Sequence, residues 1–328
     1  MKRFLVIQTA FIGDVILCTP VITELKRLYP DAHIDLVVRK GNESLIVNHP
    51  DISQLFIWNK RKGKYKSLLQ TIRAVRNYKY EEVINLQRYA SAGLICHFTK
   101  AKHKVGFEKN SFPFIYSRRV PHQIGDGTHE VERNLSTIAH HKGAHAKIRP
   151  HIYLTDEDKR KVQTYKTNRY YCIAPASVWY TKQLPIEKWV ELCQYLCKKG
   201  IVYIIGGPAD QNLGKQLKDA VTHQNLRNLC GQLTLLESAS LMKDADINYV
   251  NDSGPMHLAS AVNAPTRAFF CSTIPEFGFG PLAEDAKIIE TAQELPCRPC
   301  GLHGYKSCPK GHFKCGTTID IKSIAVDQ

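Results

Sequence analysis

No stretch of this 328-residue chain reaches the roughly 18 consecutive apolar residues that a membrane-spanning helix needs. The apolar run near its start, Phe4–Ile7, is too short for a secretory signal and reads straight into Gln8 and Thr9. A cytosolic protein is therefore expected. The chain has no G-x-x-x-x-G-K-S/T loop and no G-x-G-x-x-G fingerprint, which weakens P-loop nucleotidase and dinucleotide-dehydrogenase readings. Zinc-finger, homeodomain and RNA-recognition signatures are missing too, so nucleic acid is a weak candidate partner. Nor is the composition that of a disordered chain, because 43% of residues are hydrophobic and 23% charged.

Acidic residues are scarce in one half only. Residues 1–155 hold 25 Lys/Arg against 12 Asp/Glu, whereas residues 156–328 hold 20 against 18. Of the net +15, the first half therefore carries almost everything, which points to an anionic partner there. The densest clusters are Lys60-Arg61-Lys62 with Lys64 and Lys66, then Lys100, Lys102 and Lys104, then Arg118-Arg119. Any one of them reads as solvated surface; their confinement to one half does not.

The first half alternates short β-rich runs (Phe4–Ile7, Ile34–Val38, Gln54–Trp58, Val83–Leu86, Lys104–Phe107) with helical patterns (Val15–Tyr29, Glu43–Asn48, Lys66–Asn77, Ala90–Thr99). Pro20 inside the first helical pattern predicts a kink or a boundary. The second half repeats the alternation. Its strands are expected at Tyr171–Pro175, Val202–Ile205, Leu226–Leu229, Ile247–Val250 and Thr266–Phe270. Its helices are expected at Ile186–Lys198, Asp210–Thr222, Leu236–Lys243 and Gly254–Val262. Repeated β-α units imply parallel sheets covered on both faces. Length suggests two domains, 1–155 and 156–328, joined where the polar run Thr155–Asn168 shows no strand.

Ligands of open parallel sheets bind beyond the carboxyl ends of the strands. That directs attention to the loops Thr9–Asp14, Ala176–Lys182, Gly206–Asp210 and Asn251–His257. In the first, Gly13-Asp14 precedes a helix; Asp14 is a helix cap or a general base, and the local pattern alone favours the cap. In the last, Asp252, Ser253 and Gly254 open a helix whose N-terminus suits a diphosphate, while His257 lies one turn in. Ser177 and Lys182 follow the second half's first strand, where a lysine can neutralise a phosphate. Gly206-Gly207 is at least a turn and at most a place for close ligand approach.

Four segments together resemble glycosyltransferase family 9, the lipopolysaccharide heptosyltransferases. They are the opening RFLVIQTAFIGDVILCTPVITELKRLYPDAHIDLVV, the mid-chain HEVERNLSTIAHHKG, the block NDSGPMHLASAVNAPTRAFF with its D-S/T-G-x-x-H-x-x-A pattern, and STIPEFGFGPL followed by CRPC and CPKGHFKC. The resemblance implies two facing Rossmann-like doubly wound domains, the GT-B architecture. It implies inverting, metal-independent transfer of a heptose from an ADP-heptose-like donor. On it, Asp14 matches the catalytic base. Ser177 and Lys182 fall at the donor phosphates, Asp252 at the sugar, and Ser253, Gly254 and His257 complete the donor loop with Gly206 and Gly207 near. Gly13, Lys60, Arg61, Lys62 and Arg133 fall to the acceptor, an anionic lipid A–Kdo glycolipid met at the cytoplasmic face of the inner membrane. The loop ASVWYTK departs from the family's familiar versions and leaves nucleobase and sugar open. The alternatives are another nucleotide sugar for a capsule or O-antigen glycan, a basic nucleic-acid-binding protein, and an inactive glycolipid-binding relative.

Eleven cysteines are many for a cytosolic enzyme. Cys18, Cys96, Cys172, Cys193, Cys197, Cys230 and Cys271 lie on or beside expected elements and read as small buried hydrophobes. Cys297, Cys300, Cys308 and Cys315 cluster, and could hold a structural zinc, stay as free thiols, or pair on oxidation. His303 and His312 could substitute as ligands. No cofactor is expected for the chemistry.

Overall fold

The computed structural model describes residues 1–61, 63–145, 147–166 and 169–322. The chain divides into two compact units, Met1–Tyr153 and Leu154–Gln328.

The first unit runs β1 (Arg3–Ile7), α1 (Ile12–Leu28), β2 (His33–Arg39), β3 (Ile52–Trp58), α2 (Lys64–Val75), β4 (Lys79–Asn85), α3 (Ala90–Phe98), β5 (Lys100–Phe107), β6 (Arg118–Val120) and α4 (Glu130–Ser136). All pairings are parallel, in the order β3-β2-β1-β4-β5-β6. The second unit runs α5 (Asp156–Val162), β7 (Tyr170–Ala174), α6 (Ile186–Leu196), β8 (Ile201–Ile204), α7 (Gln211–Ala220), β9 (Leu226–Asn228), α8 (Leu235–Lys243), β10 (Ile247–Asn251), α9 (Gly254–Ala261), β11 (Thr266–Phe270), β12 (Ala286–Glu290) and α10 (Lys314–Thr317). Its sheet has the order β12-β11-β10-β7-β8-β9. Counted from each unit's own first strand, both sheets follow the same doubly wound order, in which the winding reverses between the first and fourth strands. The α/β class expected from the sequence is the one found.

Burial explains the strands. β1 from Phe4 onward, β7, β10 and β11 are buried along their length, as a sheet covered on both faces requires. The seven scattered cysteines are all buried as expected, and burial pushes their thiols up, Cys197 to about 11.

The structure differs from the sequence reading in four places. Pro20 neither ends nor splits α1. A proline at this position leaves the carbonyl four residues back without its N–H, and the Thr19 hydroxyl takes that Ile16 carbonyl instead, at 2.8 Å. The helix expected at Glu43–Asn48 is a single turn, Glu43–Leu45. The polar run after Thr155 forms α5, because Thr155 accepts the Asp158 N–H while the Asp158 carboxylate accepts the Thr155 N–H. Two edge strands, β6 and β12, went unseen; both carry charged, partly exposed residues.

Candidate active site

In the first unit the winding reverses between β1 and β4, so the loops leaving those strands open the ligand position. Asp14 stands there, in the first turn of α1, and its Oδ2 accepts the Phe11 N–H at 3.2 Å. The cap reading is thus realised. Burial pushes the Asp14 carboxyl up, against the pull of the Phe11 N–H and of Arg39 and Arg88. Gly13 precedes it, half-buried.

Cations from three other strand ends converge on this loop. Lys60, just past β3, donates from Nζ to the Thr9 carbonyl at 2.6 Å and lies 4.6 Å from the Trp58 ring centroid. Burial first, then Arg39 and Lys64, lower its ammonium to about 8, with Asp14 opposing. Arg39, the last residue of β2, stacks over the Phe11 ring at 4.7 Å. Arg88 follows β4. Asn42 Nδ2 also ties the loop down, donating to the Ala10 carbonyl at 2.9 Å. Arg61 is exposed, with its backbone N–H on Asn59 Oδ1 at 3.1 Å. Lys62 lies outside the described residues.

Arg133 turns inward. Its Nε donates to Glu130 Oε2 at 2.8 Å, Nη1 meets the Thr128 carbonyl, and the side chain is 4% exposed. Glu130 itself feels Asp14: burial pushes its carboxyl up to about 7, Arg133 opposes, and the Asp14 charge adds to the rise. Arg39, Arg88 and Glu130 are the site residues that sequence reasoning missed. The two arginines had a usable signal, since Arg39 closes β2 and Arg88 lies three residues past β4, both at carboxyl ends of parallel strands.

In the second unit the reversal falls between β7 and β10. Asn251 closes β10 and knits the two strand ends together. Its Oδ1 accepts the Leu184 N–H at 3.0 Å and its Nδ2 donates to the Pro175 carbonyl at 2.7 Å. Directly after it, buried Asp252 receives Lys182 Nζ at 2.7 Å and the Thr273 hydroxyl at 2.7 Å, both on Oδ2. The expected Lys182 and Asp252 are therefore one ion pair. A buried carboxylate needs such a partner, and an ammonium with one donor engaged keeps two for a ligand.

Ser177 lies half-buried where Gln183 Nε2 donates to its carbonyl at 2.7 Å, folding the loop onto itself. Ser253 stands at the N-cap position of α9, but its hydroxyl bonds the Asn251 carbonyl at 3.3 Å and caps nothing. Gly254 opens α9, and His257 is buried on its first turn, with its ring edge-on to Phe279 at 6.5 Å. The helix N-terminus beside the ion pair thus carries no side-chain cap. Gly206 and Gly207 have a local explanation. A Cβ on Gly206 would meet Asp210 at 2.9 Å and Cys230 at 3.1 Å, and the Gly207 N–H donates to Asp210 Oδ2 at 2.8 Å.

The cysteine-rich segment is bound to this same site. Thr181, next to Lys182, gives its N–H to the Tyr305 carbonyl at 3.1 Å and accepts the Tyr305 N–H on Oγ1 at 2.8 Å. Cys300 N–H reaches the Ser272 carbonyl at 2.8 Å. Arg298 donates to the carbonyls of Cys271 at 2.8 Å and Thr273 at 2.9 Å. Gly304, at φ +73°, fits because a Cβ would stand 2.8 Å from Thr181 Oγ1. As for metal, burial first and then the neighbouring cysteines push the Cys300 and Cys315 thiols up, and Cys297 Sγ lies 3.9 Å from His312 Nε2. The four thiols are not gathered to ligand spacing: among the described residues only Glu82, His140 and His141 bring three ligand atoms within 4.8 Å.

The family model for glycosyltransferase family 9 (heptosyltransferase) matches residues 68–305. The chain belongs to that family. It is 25% identical over 320 residues to lipooligosaccharide heptosyltransferase 2 of Campylobacter jejuni, covering 96% of this chain and 93% of that protein. Among solved structures, a family 9 glycosyltransferase from Veillonella parvula superposes with a TM-score of 0.80 at 22% identity, over 88% of this chain and 86% of that one. The E. coli ADP-heptose lipopolysaccharide heptosyltransferase II gives 0.76 at 19% identity, over 100% and 99%. The fold is shared with both. This family 9 chain is accordingly a glycosyltransferase. Among the described residues, no helix is long and apolar enough to cross a membrane.

Proposed function

We propose that this family 9 enzyme moves a heptose from an ADP-heptose-like donor to an inner-core lipopolysaccharide acceptor of the lipid A–Kdo type, with inversion and without a catalytic metal. The observation that carries the reading is the Lys182–Asp252 pair at the reversal point of the second sheet, beside an uncapped helix N-terminus. The solved E. coli relative is described as an ADP-heptose enzyme, which supports the donor. The basic first half supports an acceptor rich in phosphate and carboxylate.

In this reading Asp14 takes the proton of the acceptor hydroxyl as that oxygen bonds to the anomeric carbon. The bond from that carbon to the diphosphate breaks, and its electron pair leaves with the nucleoside diphosphate. The two free donors of Lys182 and the N–H groups at the start of α9 meet that growing charge, with Ser177, Ser253, Gly254 and His257 lining the donor. Asp252 orients Lys182 and reaches the sugar; Gly206 and Gly207 let the nucleotide approach. Lys60, Arg61, Lys62, Arg39 and Arg88 receive the acceptor's anionic groups, and Gly13 leaves room for them. Arg133 acts through Glu130 by holding α4 in place. Contact with the cytoplasmic face of the inner membrane follows from a lipid-linked acceptor. The cysteine segment holds the donor loop; the site chemistry calls for no zinc there, and none enters a step.

The test incubates the full chain with ADP-heptose and a lipid A–Kdo acceptor, then reads product mass and anomeric configuration by NMR. One heptose added with inverted configuration is expected. Retained configuration, or transfer only from other nucleotide sugars to capsule or O-antigen acceptors, overturns the proposal.

A further inference from the structure

Glu82 is an oddity of the first sheet. It lies in the interior of β4, opposite Phe4 of β1 and His103 of β5, with its side chain 4% exposed. A carboxylate buried on a sheet face needs compensation, and among the described residues no Lys or Arg pairs with it. Two adjacent histidines do. His140 Nε2 stands 2.8 Å from Oε2 and His141 Nε2 stands 3.1 Å from Oε1. Their rings lie 4.2 Å apart at a 36° tilt, so both nitrogens address the same carboxylate.

We propose that Glu82, His140 and His141 form a divalent-metal site of the zinc class. Two imidazoles and one carboxylate are a donor set suited to zinc or cobalt, whereas magnesium and calcium favour oxygen alone. The three ligand atoms already lie within 4.8 Å of one another. Bond lengths of about 2.0–2.2 Å around a tetrahedral ion require only a few tenths of an ångström of opening between the nitrogens and oxygens. The surroundings fit as well. Tyr29 OH lies 2.9 Å from His141 Nδ1, so that nitrogen can donate to the phenol while Nε2 keeps its lone pair for the ion. Phe4 and Tyr29 stack at 5.2 Å, and both meet the His141 ring edge-on. His140 and His141 retain 18% and 12% exposure, enough for an ion to enter and for water to complete the shell.

The site lies three residues before the carboxyl end of β4, on the strand's interior and apart from Asp14 at the sheet edge. Its effect is structural. It would clip the turn after α4 to the sheet and to the end of α1, steadying the helix that carries Glu130 and Arg133. Asn134 Nδ2 already ties α4 to the Leu17 carbonyl of α1 at 3.1 Å.

The test uses cobalt on the untagged, metal-stripped full chain, because cobalt's visible spectrum separates nitrogen–oxygen ligation from thiolate ligation by the cysteine segment. A site with weak visible bands and no sulfur charge transfer is expected, together with a higher melting temperature. His140→Ala should lose that site while any thiolate-type binding stays. Tyr29→Phe, which removes one hydroxyl, should weaken it about tenfold and keeps the test alive if His140→Ala does not fold. Absence of a nitrogen–oxygen cobalt spectrum, or an affinity unchanged in these variants, overturns the proposal and leaves a hydrogen-bonded Glu–His cluster. The readout needs no activity, so it stands or falls apart from the glycosyl-transfer reading.

Discussion

Lys60→Arg should remove an alkaline limb from the enzyme's pH profile. Burial, with Arg39 and Lys64 adding, lowers the Lys60 ammonium from 10.5 to about 8. Half of the wild-type molecules then carry the charge at pH 8 and about one in ten at pH 9. If that charge receives an anionic acceptor, kcat/KM for the acceptor falls about tenfold per pH unit above 8, while donor binding holds. Arginine stays charged throughout this range, so the variant's profile should remain level where the wild type declines. The comparison is of profile shape, since the longer side chain will shift the Thr9 contact and the absolute rate. Stability provides an internal check. The folded pKa lies below the unfolded one, so the unfolded chain binds more protons between about 8 and 10.5. Through this group, folding stability rises with pH across that window. Activity and stability should therefore move in opposite directions between pH 8 and 10. A wild-type profile without a limb near 8, or a limb that stays put in Lys60→Arg, refutes the reasoning.

Asp14→Asn preserves size and an acceptor oxygen for the Phe11 N–H. Turnover should fall about 10²- to 10⁴-fold with donor affinity unchanged by calorimetry; near-normal turnover would leave Asp14 a cap alone. Lys182→Met strands the buried Asp252 charge and should cost about 3–5 kcal/mol in denaturant unfolding. Adding Asp252→Asn should recover part of that stability without recovering nucleoside diphosphate binding, and full recovery of binding would dismiss the phosphate role. Gly304→Ala places a methyl against Thr181 at a positive φ, so a loss of about 1 kcal/mol or more should accompany a raised donor KM. An unchanged KM would show that the cysteine segment does not position the donor loop.

Most of the strand framework was readable because its runs are short, apolar and separated by helical periods. One rule about strand ends found Asp14, Lys182 and Asp252 without any knowledge of contacts, whereas Lys60 came from the basic cluster and the family resemblance. What the rule could not supply was direction. Arg133 and Lys182 are both cations that the resemblance assigns to a ligand, yet one turns inward to Glu130 and the other reaches a carboxylate 70 residues away. Pro20 offered a boundary that α1 does not have, because the compensating Thr19 hydroxyl matters only once the helix exists. The bonds between Thr181 and Tyr305 span 124 residues and leave no local trace. Glu82, His140 and His141 likewise meet only in three dimensions, since nothing in a strand pattern announces that one of its acidic residues faces inward.

The hold of residues 298–305 on the loop carrying Lys182 has a consequence during synthesis. A nascent chain that has just passed β12 contains every strand of both sheets, but Thr181 still lacks Tyr305 and Thr273 still lacks Arg298. Ribosome-bound intermediates of that length should look folded to a protease while engaging nucleotide weakly. Competence for sugar transfer would then arrive as a late event, separate in time from the closing of the second sheet.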